Sequence, residues 1–422
     1  MHKKIIYLIP FWIIPYYLWT TLPSRPMSIL WFGTLYLLAY IFLALRGKQI
    51  LFALSKDPIV FFLIGLSGIS YFWSVAPEIT FASTRSLVVQ YVIVGYLATT
   101  YSLRQIIGFL NRILYITGIL SLFYVIFLPH LSTRRGGAGG VSWQGIFHHQ
   151  SVLGATMALA IITIVTVLLM EPEKRRGYPL LLSIAAIGIC SYLLIFCGAR
   201  TAIIGCVASF LILPFFFLRK IRGIDSRNFA FLVLAASFCI GIPLLYLVKD
   251  FIVVEILGKN ASLSGRSYLW NYMMAQVWER PFGHGLDAYW HNSELVRGVF
   301  ARLQYPYGNS HSNYIDILIG IGLPGFALIA LFAANLVRKS LILAFNHRRI
   351  EYVWVLQIFV FISIAAYSDS FIGYLRSRTV GWVLLSLFSV SSSLELGRLE
   401  RLRHQVYPRV LDNLHHRLSP NS

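Results

Sequence analysis

Apolar residues run through this chain in long blocks, and polar residues gather in the gaps between them. Twelve blocks are long enough to cross a bilayer as helices: 5–22, 27–45, 58–73, 84–101, 106–129, 151–170, 180–199, 201–218, 229–248, 313–337, 351–368 and 379–396. The blocks do not alternate polar and apolar positions, so they do not read as barrel strands. The pattern predicts an all-α polytopic membrane protein with about 12 transmembrane helices. Residues 1–248 would hold helices 1–9, and 249–312 an extracytoplasmic (periplasmic) helical cap between helices 9 and 10. Residues 313–396 would hold helices 10–12, and 397–422 a basic cytoplasmic tail.

Composition agrees. Of 422 residues, 57% are hydrophobic and 12% charged, with mean hydropathy +0.70; a soluble domain carries about 25% charged residues. The net charge of +20 would suggest nucleic acid in a soluble protein. Here the positive-inside rule accounts for it, and no nucleic-acid partner is expected. With the N-terminus in the cytoplasm, the inward pieces hold 22 of the 36 Lys and Arg residues, and the short outward loops are nearly free of them. The first block follows His2, Lys3 and Lys4 like a signal peptide, but no A-x-A-like site follows. It reads as a retained helix. Cys190, Cys197, Cys206 and Cys239 lie inside apolar blocks without metal-type spacing.

Two outward segments are long for connections, 130–150 and 249–312. The second contains Trp270, Trp278 and Trp290 and is too aromatic to read as disordered. Within 266–280, Leu269, Met273, Gln276 and Val277 form one helical stripe, which Pro281 ends. The Gly136–Gly140 run lacks a following Gly-Lys-Ser/Thr, so it is not a P-loop; it reads as a hinge or at most a phosphate nest. Phe282-Gly283-His284-Gly285 reads as a turn. The basic tail, with Leu399, Leu402, Val406 and Val410 at helical spacing, would lie on the inner leaflet.

Three residues stand out chemically. Arg200 sits at a hairpin between two apolar blocks, either as a snorkelling anchor or facing an anionic ligand. Arg266 opens the predicted cap helix, either as a surface arginine or facing an anionic partner, which the helix dipole's disfavour for a cation there suggests. His311 lies in Asn309-Ser310-His311-Ser312-Asn313 at the start of an apolar block. It is either a hydrogen-bonded structural residue or a proton acceptor near neutral pH. The other outward histidines, His130, His148, His149, His284 and His291, show no metal-ligand spacing, and no metal or other cofactor is expected. Several arginines, one candidate base, few acids and many aromatics suit a lipid-linked diphosphate attacked by a sugar hydroxyl.

These residues resemble a known family, the O-antigen ligase and polymerase superfamily, and most closely its exopolysaccharide polymerases. The likeness runs through Phe72-Trp73-Ser74-Val75-Ala76-Pro77-Glu78 and Trp143-Gln144-Gly145-Ile146-Phe147-His148-His149. It continues through Gly198-Ala199-Arg200-Thr201-Ala202, Gly265-Arg266 with Trp270, Pro281-Phe282-Gly283-His284-Gly285, and His311-Ser312-Asn313-Tyr314 onward to Gly322 and Gly325. Gln150-Ser151 depart from the family's Lys-Asn, Ala199 from its serine, and Gly320 stands where a glutamate is common. The resemblance implies twelve spans in a GT-C-like arrangement and metal-independent glycosyl transfer from an undecaprenyl-diphosphate carrier. It implies catalytic roles for His311, Arg200 and Arg266. Arg85, His149, Trp143, Trp270, Asn309, Ser312 and Tyr314 are the candidate substrate-binding residues. The implied partners are the undecaprenyl-diphosphate-linked glycan, a growing polysaccharide or lipid A core acceptor, and the bilayer. A flippase and a chain-length regulator are further candidates.

A polymerase is the leading expectation and a ligase its alternative. A transporter would instead place ionisable residues and broken helices inside the membrane. The sequence puts its conspicuous polar residues at one face, which argues against that class.

Overall fold

The structure is a computed structural model that describes residues 25–135, 141–217, 266–304, 307–368 and 380–418. Predicted spans 5–22 and 229–248, Cys239, the Gly136–Gly140 run and the first part of the predicted cap lie outside these residues. The described chain is helical apart from one small hairpin. The principal helices are α1 (Arg25–Ser55), α2 (Pro58–Ile69), α3 (Pro77–Thr100), α4 (Leu103–Phe127), α5 (Gln150–Met170), α6 (Gly177–Phe196), α7 (Arg200–Phe210), α8 (Ile212–Phe217), α9 (Arg266–Glu279), α10 (Ser293–Leu303), α11 (Asn313–Leu341), α12 (Ile350–Ser368) and α13 (Val380–Leu418).

Seven helices are long and apolar enough to span a membrane among the described residues, and the protein is a multi-pass membrane protein. Two further predicted spans are shorter apolar helices, Pro58–Trp73 and Arg200–Pro214. Boundaries moved where local chemistry sets them. The span expected at 84–101 begins at Pro77, whose fixed φ suits a first helical position. The segment expected to span at 27–45 belongs to α1, which bends at Arg46 and continues to Ser55; its apolar stretch is Tyr36–Ser55. Arg46 is anchored there by a 3.2 Å hydrogen bond from its guanidinium to Thr100 Oγ1. The segment 130–150, read as a loop, contains an antiparallel hairpin pairing Thr133–Arg135 with Val141–Trp143.

The centre is α5, buried nearly all round and packed against α4, α6, α7 and α12. A helix apolar on every side has no solvated face to keep, so it sits inside the bundle. Its threonines donate back to its own carbonyls, as Thr163 does to Leu159 O at 2.7 Å. Trp354 Nε1 donates to the same Thr163 hydroxyl at 3.2 Å, tying α12 to α5.

The long helix α11 is broken. Gly322 stands at φ 69°, ψ −167°, a region that glycine occupies almost alone. The segment 281–285 fills the break. His284 N–H donates to Ile319 O at 2.7 Å, Gly285 N–H to Gly320 O at 2.8 Å, and Leu323 N–H to Pro281 O at 2.8 Å. A Cβ at Gly283 would collide with the Gly320 carbonyl. The α2–α3 turn closes over the same segment. Trp73 Nε1 donates to Phe282 O at 3.1 Å, and Val75 N–H to His284 O at 2.9 Å. Three separated sequence motifs therefore meet in one backbone-bonded knot, and Phe282–Gly285 is more than a turn.

One sequence expectation needs correction. Polar residues do not all collect at one face. At the opposite end of α11, buried Lys339 pairs with buried Asp57 at 2.9 Å. The Lys339 ammonium also donates to Ser389 O at 3.1 Å and to the Ser389 and Ser393 hydroxyls at 2.9 Å each, while Ser389 Oγ donates to Asp57.

Candidate functional site

The site is built on the loop that precedes α11. His311 has φ 55°, in the left-handed region, which a side-chain-bearing residue occupies at a cost of about 1 kcal/mol or more. Local hydrogen bonds hold it there. Asn309 Oδ1 accepts from His311 N–H at 2.9 Å. The Ser310 hydroxyl accepts from Ser312 N–H at 3.1 Å and donates to Ser312 O at 2.6 Å. Ser310, Ser312 and Asn313 are buried, so these bonds are shielded from water. Asn309 and Ser312 thus shape the turn.

Neighbouring helices lock the loop from outside. Trp270 of α9 donates from Nε1 to Ser310 O at 2.8 Å, and its ring meets Tyr367 of α12 edge-on at 5.3 Å. Tyr314 donates from its hydroxyl to Ser363 O of α12 at 2.9 Å. Asp316, one turn into α11, accepts at Oδ1 from Ser310 N–H at 3.2 Å and from Trp290 Nε1 at 3.1 Å. Trp290 lies five residues beyond Gly285, the last residue of the segment that fills the break in α11. The knot and the histidine loop are one continuous construction.

Electrostatics set the state of His311. Partial burial first, then the charge of Arg266, push its basicity below the ordinary histidine value of 6.5; His149 adds to this and Asp316 opposes it. Arg266 is the first residue of α9, as the sequence predicted. The stripe Leu269, Met273 and Val277 on that helix is buried, with Gln276 half-buried beside it. His149 caps α5, its Nδ1 accepting from Ser151 N–H at 3.1 Å. His284 is a contrast. It is buried against Tyr289, and its Nδ1 donates to Ile319 O at 3.1 Å, the bond of a structural histidine.

Arg200 is exposed at the start of α7. The turn that carries it lies hard against α5, because Gly154 leaves room for Ala199 and Cys197. α7 is also close to α12, where a Cβ on Gly205 would sit 3.0 Å from the Phe361 ring. α12 thus braces α7, α9 and α11 together.

Two predicted substrate-binding residues are engaged elsewhere. The Arg85 guanidinium lies 5.3 Å from the centre of the Tyr36 ring on α1. Trp143 stacks on Phe196 at 5.1 Å and meets Tyr192 edge-on at 5.4 Å, packing the hairpin onto α6. Sequence reasoning missed Asp316. An acid five residues after a histidine carries no motif, and its partner Trp290 is far off in sequence. Among the described residues, no three His, Cys, Asp or Glu side chains converge as metal ligands would.

No curated protein matches the chain. Residues 185–330 match the family model described as O-antigen ligase. That segment takes in Arg200, Arg266, the segment filling the break in α11, the His311 loop and Asp316. Over those residues the chain is similar to the O-antigen ligase family.

Proposed function

We propose that the protein is a membrane glycosyltransferase. In this reading it polymerises undecaprenyl-diphosphate-linked oligosaccharide units at the outer face of the bacterial plasma membrane, without a metal ion. The observation that carries the reading is the setting of His311: fixed by its turn, its basicity lowered by burial and Arg266, and neighboured by Arg266 at the start of α9 and His149 at the start of α5. An acceptor hydroxyl gives its proton to His311 as its oxygen bonds the donor sugar's anomeric carbon. The bond from that carbon to the diphosphate breaks, and the diphosphate leaves on its lipid carrier. Arg200 and Arg266 supply planar donors for the developing phosphate charge.

A ligase reading, with lipid A core or protein as acceptor, rests on the description of the matching family model. The transporter class draws some support from the broken α11 and the buried Asp57–Lys339 pair. Yet the carbonyls of Ile319 and Gly320 at the break already accept from backbone N–H groups, and Lys339 is matched by Asp57. A transport site leaves such groups open for cargo.

The test uses purified, reconstituted protein with an undecaprenyl-diphosphate oligosaccharide and EDTA. Wild type should lengthen the glycan on its carrier, and His311→Ala, Arg200→Ala and Arg266→Ala should not. No elongation, but transfer once lipid A core is added, would favour the ligase. Undiminished activity in all three variants would overturn the site.

A further inference from the structure

The His311 loop touches α11 through one side chain whose role no motif assigns. Asp316 spends a single oxygen on two jobs: Oδ1 accepts the Ser310 N–H next to His311 and the indole N–H of Trp290. Its second oxygen, Oδ2, is buried without a hydrogen-bond partner among the described residues. A buried carboxylate oxygen left unpaired is costly, and natural proteins retain one where something else requires the group. If Asp316 served only to hold the loop, an asparagine would make the same two bonds through its carbonyl oxygen and leave a neutral amide unpaired in place of a charge, which costs less to bury.

We infer that Asp316 is the positioning residue for His311, anchoring its loop through Ser310, tying that loop to Trp290 and bringing a carboxylate charge to the imidazole's side of α11. The charge matters because the other groups around His311 act against protonation. Arg266 from α9 and His149 at the start of α5 both disfavour the imidazolium, and Asp316 from α11 opposes them. Tyr307 approaches from the loop itself, ring edge to ring at 6.4 Å. Tyr367 of α12 braces Trp270 rather than His311. Trp290 ties the anchor to the knot, so the loop, the carboxylate and the broken helix form one unit. The inference rests on the proposed role of His311 as base.

Two variants separate position from charge. Asp316→Asn keeps the acceptor oxygen for Ser310 and Trp290 and removes the charge. Asp316→Ala removes both. In the full-length reconstituted protein, Asp316→Asn should move the acid limb of the pH–rate profile to lower pH. Asp316→Ala should lose tenfold or more in kcat with little change in KM for the lipid-linked donor. The His311 ring titration is read separately, by NMR on histidine-labelled chain assigned with His311→Gln. It should fall in Asp316→Asn whether or not transfer is detected, so failure of the glycosyltransferase reading would leave this result standing. An unchanged ring titration in Asp316→Asn would overturn the inference. Equal loss of activity and of thermal midpoint in both variants would overturn it as well, making Asp316 a structural residue only.

Discussion

The two ends of α11 handle charge in opposite ways. At one end Lys339 and Asp57 are 3% and 0% exposed, bonded to each other and to serines of α13. At the other end Arg200 is exposed at a helix start, with no ion pair among the described residues, and Arg266 lies close enough to depress the basicity of His311. Burying a charge is tolerated when its partner is buried with it. Cations gathered around a site gain when an anion arrives. The contrast teaches where to look for structure and where to look for ligand. The paired end holds α2, α11 and α13 together, and the cation-rich end lies at the opposite end of the same scaffold.

The contrast breaks most visibly at Lys339. Lys339→Met strands the Asp57 carboxylate in the bundle, and removing one partner of a buried pair costs about 3–5 kcal/mol. The thermal midpoint in detergent should fall accordingly. The double variant Asp57→Asn with Lys339→Met should recover most of the loss, since a neutral, well-packed replacement leaves no uncompensated charge. If the double variant were as unstable as the single, the pair would hold something other than its own balance.

His311→Ala should do the reverse, leaving the thermal midpoint unchanged and lowering glycan transfer by about 10²–10⁴-fold, the usual share of a positioned base. Burial and then Arg266 lower the basicity of the imidazole, which favours its neutral form. As pH falls through the lowered pKa the ring protonates, so the acid limb of wild-type activity should have its midpoint below 6.5 and vanish in the variant. A limb that persists in His311→Ala would move the base elsewhere.

Between the two ends lies the break, where the limits of sequence reading are plainest. The helical blocks were legible because apolar periodicity is local, and so was α9, down to its stripe and its end before Pro281. His311 and Arg266 stood out in the sequence by their setting, and the structure draws both into the surroundings of one loop. The knot was not. Gly283 and Gly322 each look like ordinary glycines, and their need for each other appears only when 281–285 lies in α11. Lys339 and Asp57 read as loop charges at block edges, since nothing local says that residues 282 positions apart will pair. Trp143 and Arg85 read as ligand contacts because an aromatic or a guanidinium looks the same whether it meets a sugar, Phe196 or Tyr36. Gly322→Ala tests the break directly. It forces a Cβ into a glycine-only conformation and against the Pro281 carbonyl, and should cost about 1–3 kcal/mol. Transfer should fall with it, because 281–285 also carries Trp290 toward Asp316.

The gentlest probe is Arg200→Lys. The charge stays, so a site needing only a positive potential would keep its rate and its affinity for the donor. A diphosphate held by a planar guanidinium fork loses one of two parallel bonds, since an ammonium is a point charge. Losing about 1.4 kcal/mol is a tenfold weakening. The expected result is therefore about a tenfold higher KM for the lipid-linked donor, with the thermal midpoint unmoved because Arg200 is exposed and bonded to no acid among the described residues. An unchanged KM would return Arg200 to the role of a membrane-edge anchor and leave Arg266 as the phosphate-facing arginine of this end.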